Sequence, residues 1–362
     1  MMGKTQFISK NILIIIALLV FASNIFAQAP KYSNEFLSVG IGARSLAMAN
    51  SSVASVKDVS AGYWNPAGLI NLEYNLNMGL MHAEYFAGIA KFDYGAVAIK
   101  NADSSAIGFS LIRFGVDDIP NTLDLIDNNG NIHYDRITSF SVADYAFMFS
   151  YARKSAIQDL QYGANVKVIR RIAGEFASAW GFGLDIGAQY DKWKWLFGAM
   201  ARDITSTFNA WKFNTSTFEE VFNKTGNEIP KNGLEITMPK LLLGTAYRFH
   251  IYKKFDGLAE FNGDITFDGK RDVLVKSDPI SIDPHFGLEF SYNKIVYLRA
   301  GIGNIQKVPD INGKNETTFQ PNIGIGIRYK RFGLDYALTD IGDQSIALYS
   351  NVFTVYYSLN KN

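Results

Sequence analysis

The sequence predicts an all-β fold, a transmembrane outer-membrane β-barrel of about 14 antiparallel strands with a small helical or irregular plug formed by its N-terminal part. Three observations predict it. The chain opens with an export signal and carries no later stretch approaching the ~18 consecutive apolar residues of a membrane helix. From residue 74 onward, apolar side chains alternate with small or charged ones in segments of about ten residues, the length of a tilted strand crossing a bilayer. The connections between those segments are short and long by turns, as they are when one end of a barrel carries tight turns and the other long loops.

The export signal comes first. Lys4 and Lys10 flank an apolar run from Ile12 to Ala22, and Ala27 stands before Gln28-Ala29-Pro30. A basic start, a short apolar run and a small residue at the cut make a signal peptide over 1–27. Cleavage after Ala27 is preferred to cleavage after Ala29, because Pro30 would then follow the scissile bond. An apolar run ending at Ala22 is too short for an N-terminal anchor, which needs ~20 residues. The expected location is the outer membrane of a Gram-negative bacterium.

Residues 28–73 lack the period of two. Ala43 to Ala54 is rich in small side chains, which pack closely in a confined space, and Pro66 after Asn65 opens a short turn of helix. The segment reads as a compact plug within the lumen. A periplasmic arm is the alternative, since small, Gly-rich segments also make flexible tails.

The barrel is read over 74–362. Strands fall near 74–82, 91–100, 104–114, 142–152, 160–172, 179–190, 194–203, 240–250, 256–268, 283–292, 295–303, 321–329, 332–339 and 349–359. In one of them Phe182, Leu184, Ile186, Ala188 and Tyr190 alternate with Gly183, Asp185, Gly187 and Gln189. The first set suits lipid and the second a lumen. Among the inward charges are Lys167, Asp185, Glu260, Glu289, Arg299 and Arg328, which pair with one another and with the plug or else line a solute path.

The connections 101–103, 153–159, 191–193, 251–255, 293–294 and 330–331 are short, whereas 115–141, 204–239, 269–282 and 304–320 are long. Residues 83–90 are assigned to the first external loop, because a strand there would move every later connection to the opposite side. Each short turn has Lys or Arg in it or beside it, which anionic headgroups or simple solubility explain. Trp193, Trp195, Tyr292, Tyr329, Phe332, Tyr356 and Tyr357 fall at strand ends, as in an interfacial girdle. A soluble two-sheet protein would also alternate, but its strands average five or six residues and its connections are shorter.

Composition narrows the chemistry. Thirty-five Lys and Arg against 34 Asp and Glu leave no basic field for nucleic acid, and the lack of cysteine removes disulfides, thiolate metal sites and a Cys nucleophile. The histidines His82, His133, His250 and His285 stand in no nucleophile elbow and no zinc-protease motif. No enzyme and no cofactor are expected. Asp124, Asp127, Asn129, Asn131 and Asp135 surround Gly130 in the long loop after the third strand, and either a calcium site or an ordinary Asn-Gly turn fits them.

Glu35 to Arg44, Leu46-Ala47-Met48, Asp58-Val59-Ser60-Ala61 and Trp64-Asn65-Pro66-Ala67-Gly68-Leu69 resemble the PorV/PorQ family of outer-membrane proteins, itself similar to the FadL transporters. The likeness covers residues 34–114; Ala49 stands where members usually have Gly. It implies a fourteen-stranded barrel with an N-terminal hatch, whose motif positions here are Gly42, Ala43, Arg44, Asp58, Asn65, Pro66, Ala67 and Gly68. It also implies an accessory place in type IX protein secretion, with secretion-system proteins or secreted cargo as partners beside outer-membrane lipid. The alternative is a FadL-like channel for uptake of hydrophobic small molecules. Such a channel wants an apolar pocket, and the charged inward positions weigh against it.

Overall fold

The computed structural model describes residues 33–101, 104–127, 129–309, 315–339, 341 and 349–360. The signal peptide read over 1–27 lies outside the described residues, as do 28–32. Among the described residues β1 (Leu76–Tyr85), β2 (Ala90–Asn101), β3 (Ser105–Asn121), β4 (Thr138–Lys154), β5 (Leu160–Ala173), β6 (Ala177–Lys192) and β7 (Trp195–Arg202) run up and down in turn. A hairpin of β8 (Phe208–Phe213) and β9 (Gly233–Ile236) follows. The wall then resumes with β10 (Lys240–Tyr252), β11 (Phe255–Thr266), β12 (Ser281–Tyr292), β13 (Val296–Pro309), β14 (Asn315–Tyr329), β15 (Phe332–Thr339) and β16 (Ser350–Leu359).

Every wall strand pairs antiparallel with its neighbour, and β7 meets β10 directly, Arg202 opposite Lys240. The ring closes where β16 returns to β1, from Leu76 opposite Leu359 to Glu84 opposite Asn351. Among the described residues fourteen strands thus form a closed ring, in which the ladders satisfy the backbone groups of the paired stretches away from water. The β8–β9 hairpin lies outside this ring and hangs on the upper part of β6, Phe208 opposite Phe182.

The period of two sets the two faces. On β6 Gly183, Asp185, Gly187 and Gln189 are buried, whereas Trp180, Phe182 and Ile186 are exposed. Leu80, Ile107, Phe149, Phe261, Leu298, Ile325 and Phe353 continue the outward apolar band, the surface that meets lipid. Trp193, Tyr252, Tyr292, Tyr329 and Phe332 ring the short-turn end as an aromatic girdle. Tyr356 departs from the girdle expected of it: it is buried and carries Arg328 over its ring at 4.5 Å.

The strands outrun their sequence limits at the long-loop end. β1 continues to Tyr85, and residues 83–85, expected in a loop, pair with Ala90 to Phe92. The outward side chains there are His82, Glu84, Lys91 and Asp93, polar groups above the lipid band, while Met81, Ala83, Tyr85 and Phe92 face inward, so the apolar phase moves from the lipid side to the lumen side as the ladder persists. β3 and β4 extend past 114 and 142 in the same way, through a register shift between Val116 and Ile119. The first external connection is a tight turn over 86–89, with Phe86, Ala87 and Gly88 all at positive φ.

The inner segment, residues 33–73, occupies the lumen. It holds a 3-10 turn at Glu35–Leu37, α1 (Ala43–Ala47), α2 (Ala61–Trp64) and a 3-10 turn at Pro66–Asn71. Asn65 caps the last of these by accepting from the Ala67 amide at 3.2 Å. Phe36, Ile41, Trp64 and Leu69 pack with Phe92, Ile112 and Ile169 of the wall in one buried cluster. On the other arc the backbone itself touches the wall: a methyl added at Gly163 would meet the Ala67 nitrogen at 2.7 Å, and one at Gly287 would meet the Met48 Cβ at 2.7 Å.

Candidate functional site

The site is the lumen: the inner segment, its ties to the wall, and the cavities above and below it. Four of the motif residues, Gly42, Ala43, Arg44 and Asn65, hydrogen-bond to the wall directly, beside more numerous ties from other inner-segment residues such as Tyr63 and Val53. Ala43 N donates to Thr354 Oγ1 at 2.8 Å, and Gly42 N points at Met81 Sδ at 2.9 Å. Asn65 is fully buried; its Nδ2 donates to the carbonyls of Val53 and Ala188, both at 3.0 Å. Pro66 and Ala67 lie against Gly163 of β5, and Gly68 sits against the Val56 carbonyl. Asp58 turns inward on its own segment, accepting from Ser60 N at 2.8 Å and Ser60 Oγ at 2.5 Å.

Arg44 begins a chain of alternating charges. Its Nε lies 2.9 Å from Glu289, which also accepts from Arg299 at 2.6 Å; Arg299 reaches Asp335 at 2.8 Å, and Asp335 holds Arg328 at 2.6 Å. Each buried charge has an opposite neighbour, the condition under which buried ion pairs persist. Lys167 forms a separate knot across the lumen, 2.8 Å from Asp185 and 2.5 Å from Asp203. Glu260 stands apart from both: one carboxylate oxygen accepts from Ala54 N at 2.8 Å, and the other, Oε2, has no partner.

Sequence reading missed three members of these networks. Asp335 occupies an inward position of β15 between Gly333 and Ala337, so the alternation held the signal. Asp203 follows β7 at positive φ and has no periodic signal; its amide donates to Asp185 at 2.8 Å. Arg202 donates to the Tyr63 carbonyl at 3.1 Å and lies 4.5 Å above that ring, binding α2 to the top of β7.

Above the inner segment a cavity of ≈ 640 Å³ opens toward the long loops. Val39, Leu46, Tyr85, Phe86 and Phe114 form its apolar side; Arg202, Lys240, Asp264, Asp283 and His285 form the polar one. Below it a vestibule of ≈ 1100 Å³ opens among the short turns. His285 lines the first and Ser291 the second, so the inner segment lies between them and they make no nucleophile–base pair. His82, His133 and His250 are bonded to Asp93, Asp127 and Asp256 instead. Among the described residues no group of three His, Asp or Glu is placed to hold a metal.

The loop carboxylate weighed as a calcium ligand is turned to another use. Asp127 accepts from the amides of Asn129 and Asn131, both at 2.9 Å, from Asn131 Nδ2 at 3.0 Å and from His133 Nε2 at 3.0 Å. Donors surround it, which closes an Asx turn and leaves its oxygens facing hydrogens. The His133 bond foremost, then those from Asn131, hold its carboxyl well below the usual range.

No protein-family model matches the chain, and no curated protein does. Solved barrels match it in fold. The Pseudomonas putida toluene transporter TodX superposes with a TM-score of 0.54 at 14% identity, over 88% of this chain and 96% of its own. The Ralstonia pickettii toluene transporter TbuX gives 0.51 at 14% identity, over 89% and 99%. A Pseudomonas aeruginosa FadL homologue gives 0.52 at 11% identity, over 88% and 98%. These matches correct the PorV/PorQ assignment and, with it, the place in type IX secretion and protein transport. The whole-chain likeness, one of fold, is to toluene transporters and a FadL homologue, and the residue likeness over 34–114 does not carry a secretion role.

Proposed function

We propose that the chain is a FadL-like outer-membrane channel for hydrophobic small molecules, with the inner segment as its hatch. The observation that carries this reading is a closed fourteen-stranded wall around an N-terminal segment that separates two cavities, in a fold shared with toluene transporters. The aromatic and aliphatic side of the upper cavity is the surface on which an apolar ligand gains by leaving water. In this reading 1–27 is removed on export, 28–73 is the hatch and 74–362 the barrel, with the long loops outside a Gram-negative cell. The motif positions hold the hatch, and the inward charges fasten it rather than conduct.

The test is uptake of labelled toluene and a panel of larger apolar probes by cells producing the chain, against cells carrying an empty vector. Faster entry of at least one probe, lost when Tyr85 and Phe114 are replaced by Asp, supports the channel. Entry no faster than in control cells across the panel, with the barrel present in the outer membrane, overturns it.

A further inference from the structure

The vestibule at the short-turn end carries a charge that a conduit for apolar molecules does not require. Nine Lys or Arg and four Asp or Glu line it, a surplus of five positive charges in a chain of formal charge +1. The surplus is one-sided. Its charged wall positions come from the arc of strands β6 to β15 and the turns between them, while β1 and β16 supply uncharged side chains alone.

Three of the four lining acids are engaged, Asp58 by Ser60 of its own segment at 2.8 Å. Glu289 is shared by Arg44 and Arg299, and Asp256 is 2.8 Å from His250. Two acids just behind the lining, Asp191 at 3.0 Å from Arg248 and Asp335 at 2.6 Å from Arg328, lower the surplus of five to three. Lys57 of the inner segment, Lys194 of the β6–β7 turn, Lys294 of the β12–β13 turn and Arg331 of the β14–β15 turn line the space, are exposed, and make no ion pair among the described residues. Bilayer headgroups outside the wall do not account for Lys57 or Arg248, which face the lumen.

We propose that the vestibule binds a polyvalent anion, a ligand carrying two or more phosphate groups, between Lys57 and the cations of these three turns. Cations from separate turns fit several spaced anionic oxygens better than one carboxylate, and low-dielectric walls focus their field into the mouth. The ligand's phosphates come either from a free solute or from an anionic lipid headgroup reaching in at the rim. The proposal stands on the lining charges and does not rest on the channel reading.

The full chain in phosphatidylcholine nanodiscs is titrated with tripolyphosphate by calorimetry. Saturable binding at one site is expected, weakened roughly tenfold or more when Lys57, Lys294 and Arg331 are together replaced by Ala. Replacing Lys154, Lys192 and Lys254 by Ala removes equal charge from positions at the same end of the barrel that do not line the vestibule, and leaves the affinity in place. Repeating the titration in phosphatidylglycerol nanodiscs separates the sources: displacement by that lipid marks a headgroup ligand, and retained binding a free one. No saturable binding in phosphatidylcholine, or equal loss in both triple variants, overturns the proposal. Heat-modifiable gel mobility confirms the barrel in each variant, so lost binding is not mistaken for lost fold.

Discussion

Replacing Glu289 by Gln keeps the shape of that side chain and removes the charge shared by Arg44 of the inner segment and Arg299 of the wall, at 2.9 and 2.6 Å. Breaking a buried ion pair costs about 3–5 kcal/mol when a charge is left behind. Arg299 keeps Asp335 at 2.8 Å, so Arg44 bears the loss, with the Ser55 hydroxyl at 3.1 Å as its remaining partner. The Arg44 side chain is 11% exposed toward the vestibule, and water recovers part of the cost, which sets the expectation at the lower end, about 3 kcal/mol. A factor of ten for each ~1.4 kcal/mol makes this roughly a hundredfold shift toward release of the inner segment. Hydrogen–deuterium exchange of peptides spanning 43–57 reads it directly, with peptides from β4 and β5 as the reference. Unchanged exchange at 43–57, or an equal rise in β4 and β5, would refute the argument that this carboxylate ties segment to wall.

Gly163→Ala places a methyl against the Ala67 nitrogen and should cost about 1–3 kcal/mol by overpacking, seen as faster exchange at 65–71 and a lower melting temperature; an unaltered melting curve counts against the close fit. Asp127 lies outside the membrane-spanning strands, and its depressed carboxyl pKa means that its contribution to loop order is complete above the ordinary carboxylate value of about 3.9 and is lost as pH falls below that value through the depressed one. Limited proteolysis within 122–137 should therefore be the same at pH 7 and pH 5, whereas Asp127→Ala opens the loop at pH 7 and calcium does not close it. Proteases added to intact cells should cut within 122–137 or 203–239 and spare 193–194; the reverse pattern would invert the barrel.

The wall was legible because a period of two is enforced by lipid on one side and a packed lumen on the other, so Phe182 and Asp185 could be placed without a partner strand in view. Legibility stopped where lipid stops. At His82, Glu84 and Lys91 the outward face is polar while Met81, Ala83, Tyr85 and Phe92 make the inward one apolar, so the alternation runs on with the phase opposite to that of a lipid-facing strand. The β8–β9 hairpin was hidden inside the long loop 204–239 for a related reason: four to six residues are too few to establish a period. In the site, inward charges were readable one by one. Which of them meet was not, since Arg44 reaches Glu289 across 245 residues of sequence and Asp203 owes its place to a turn. The residue likeness at 35–69 located the segment that enters the lumen, yet its assignment to secretion failed, because seating a segment within a barrel asks for the same small residues whatever the barrel does.

The seam between β1 and β16 links closure of the wall to the seating of the inner segment. Leu76 pairs with Leu359, so the wall stays open until the last strand has been made, and loop-closure entropy makes this the costliest junction to form. Residues 33–73 precede β1, and the Ala43 amide finds its acceptor, Thr354, on the final strand. A chain truncated before residue 350 lacks both the seam and the contact that seats α1. Closing the wall and seating α1 thus draw on the same strand, β16.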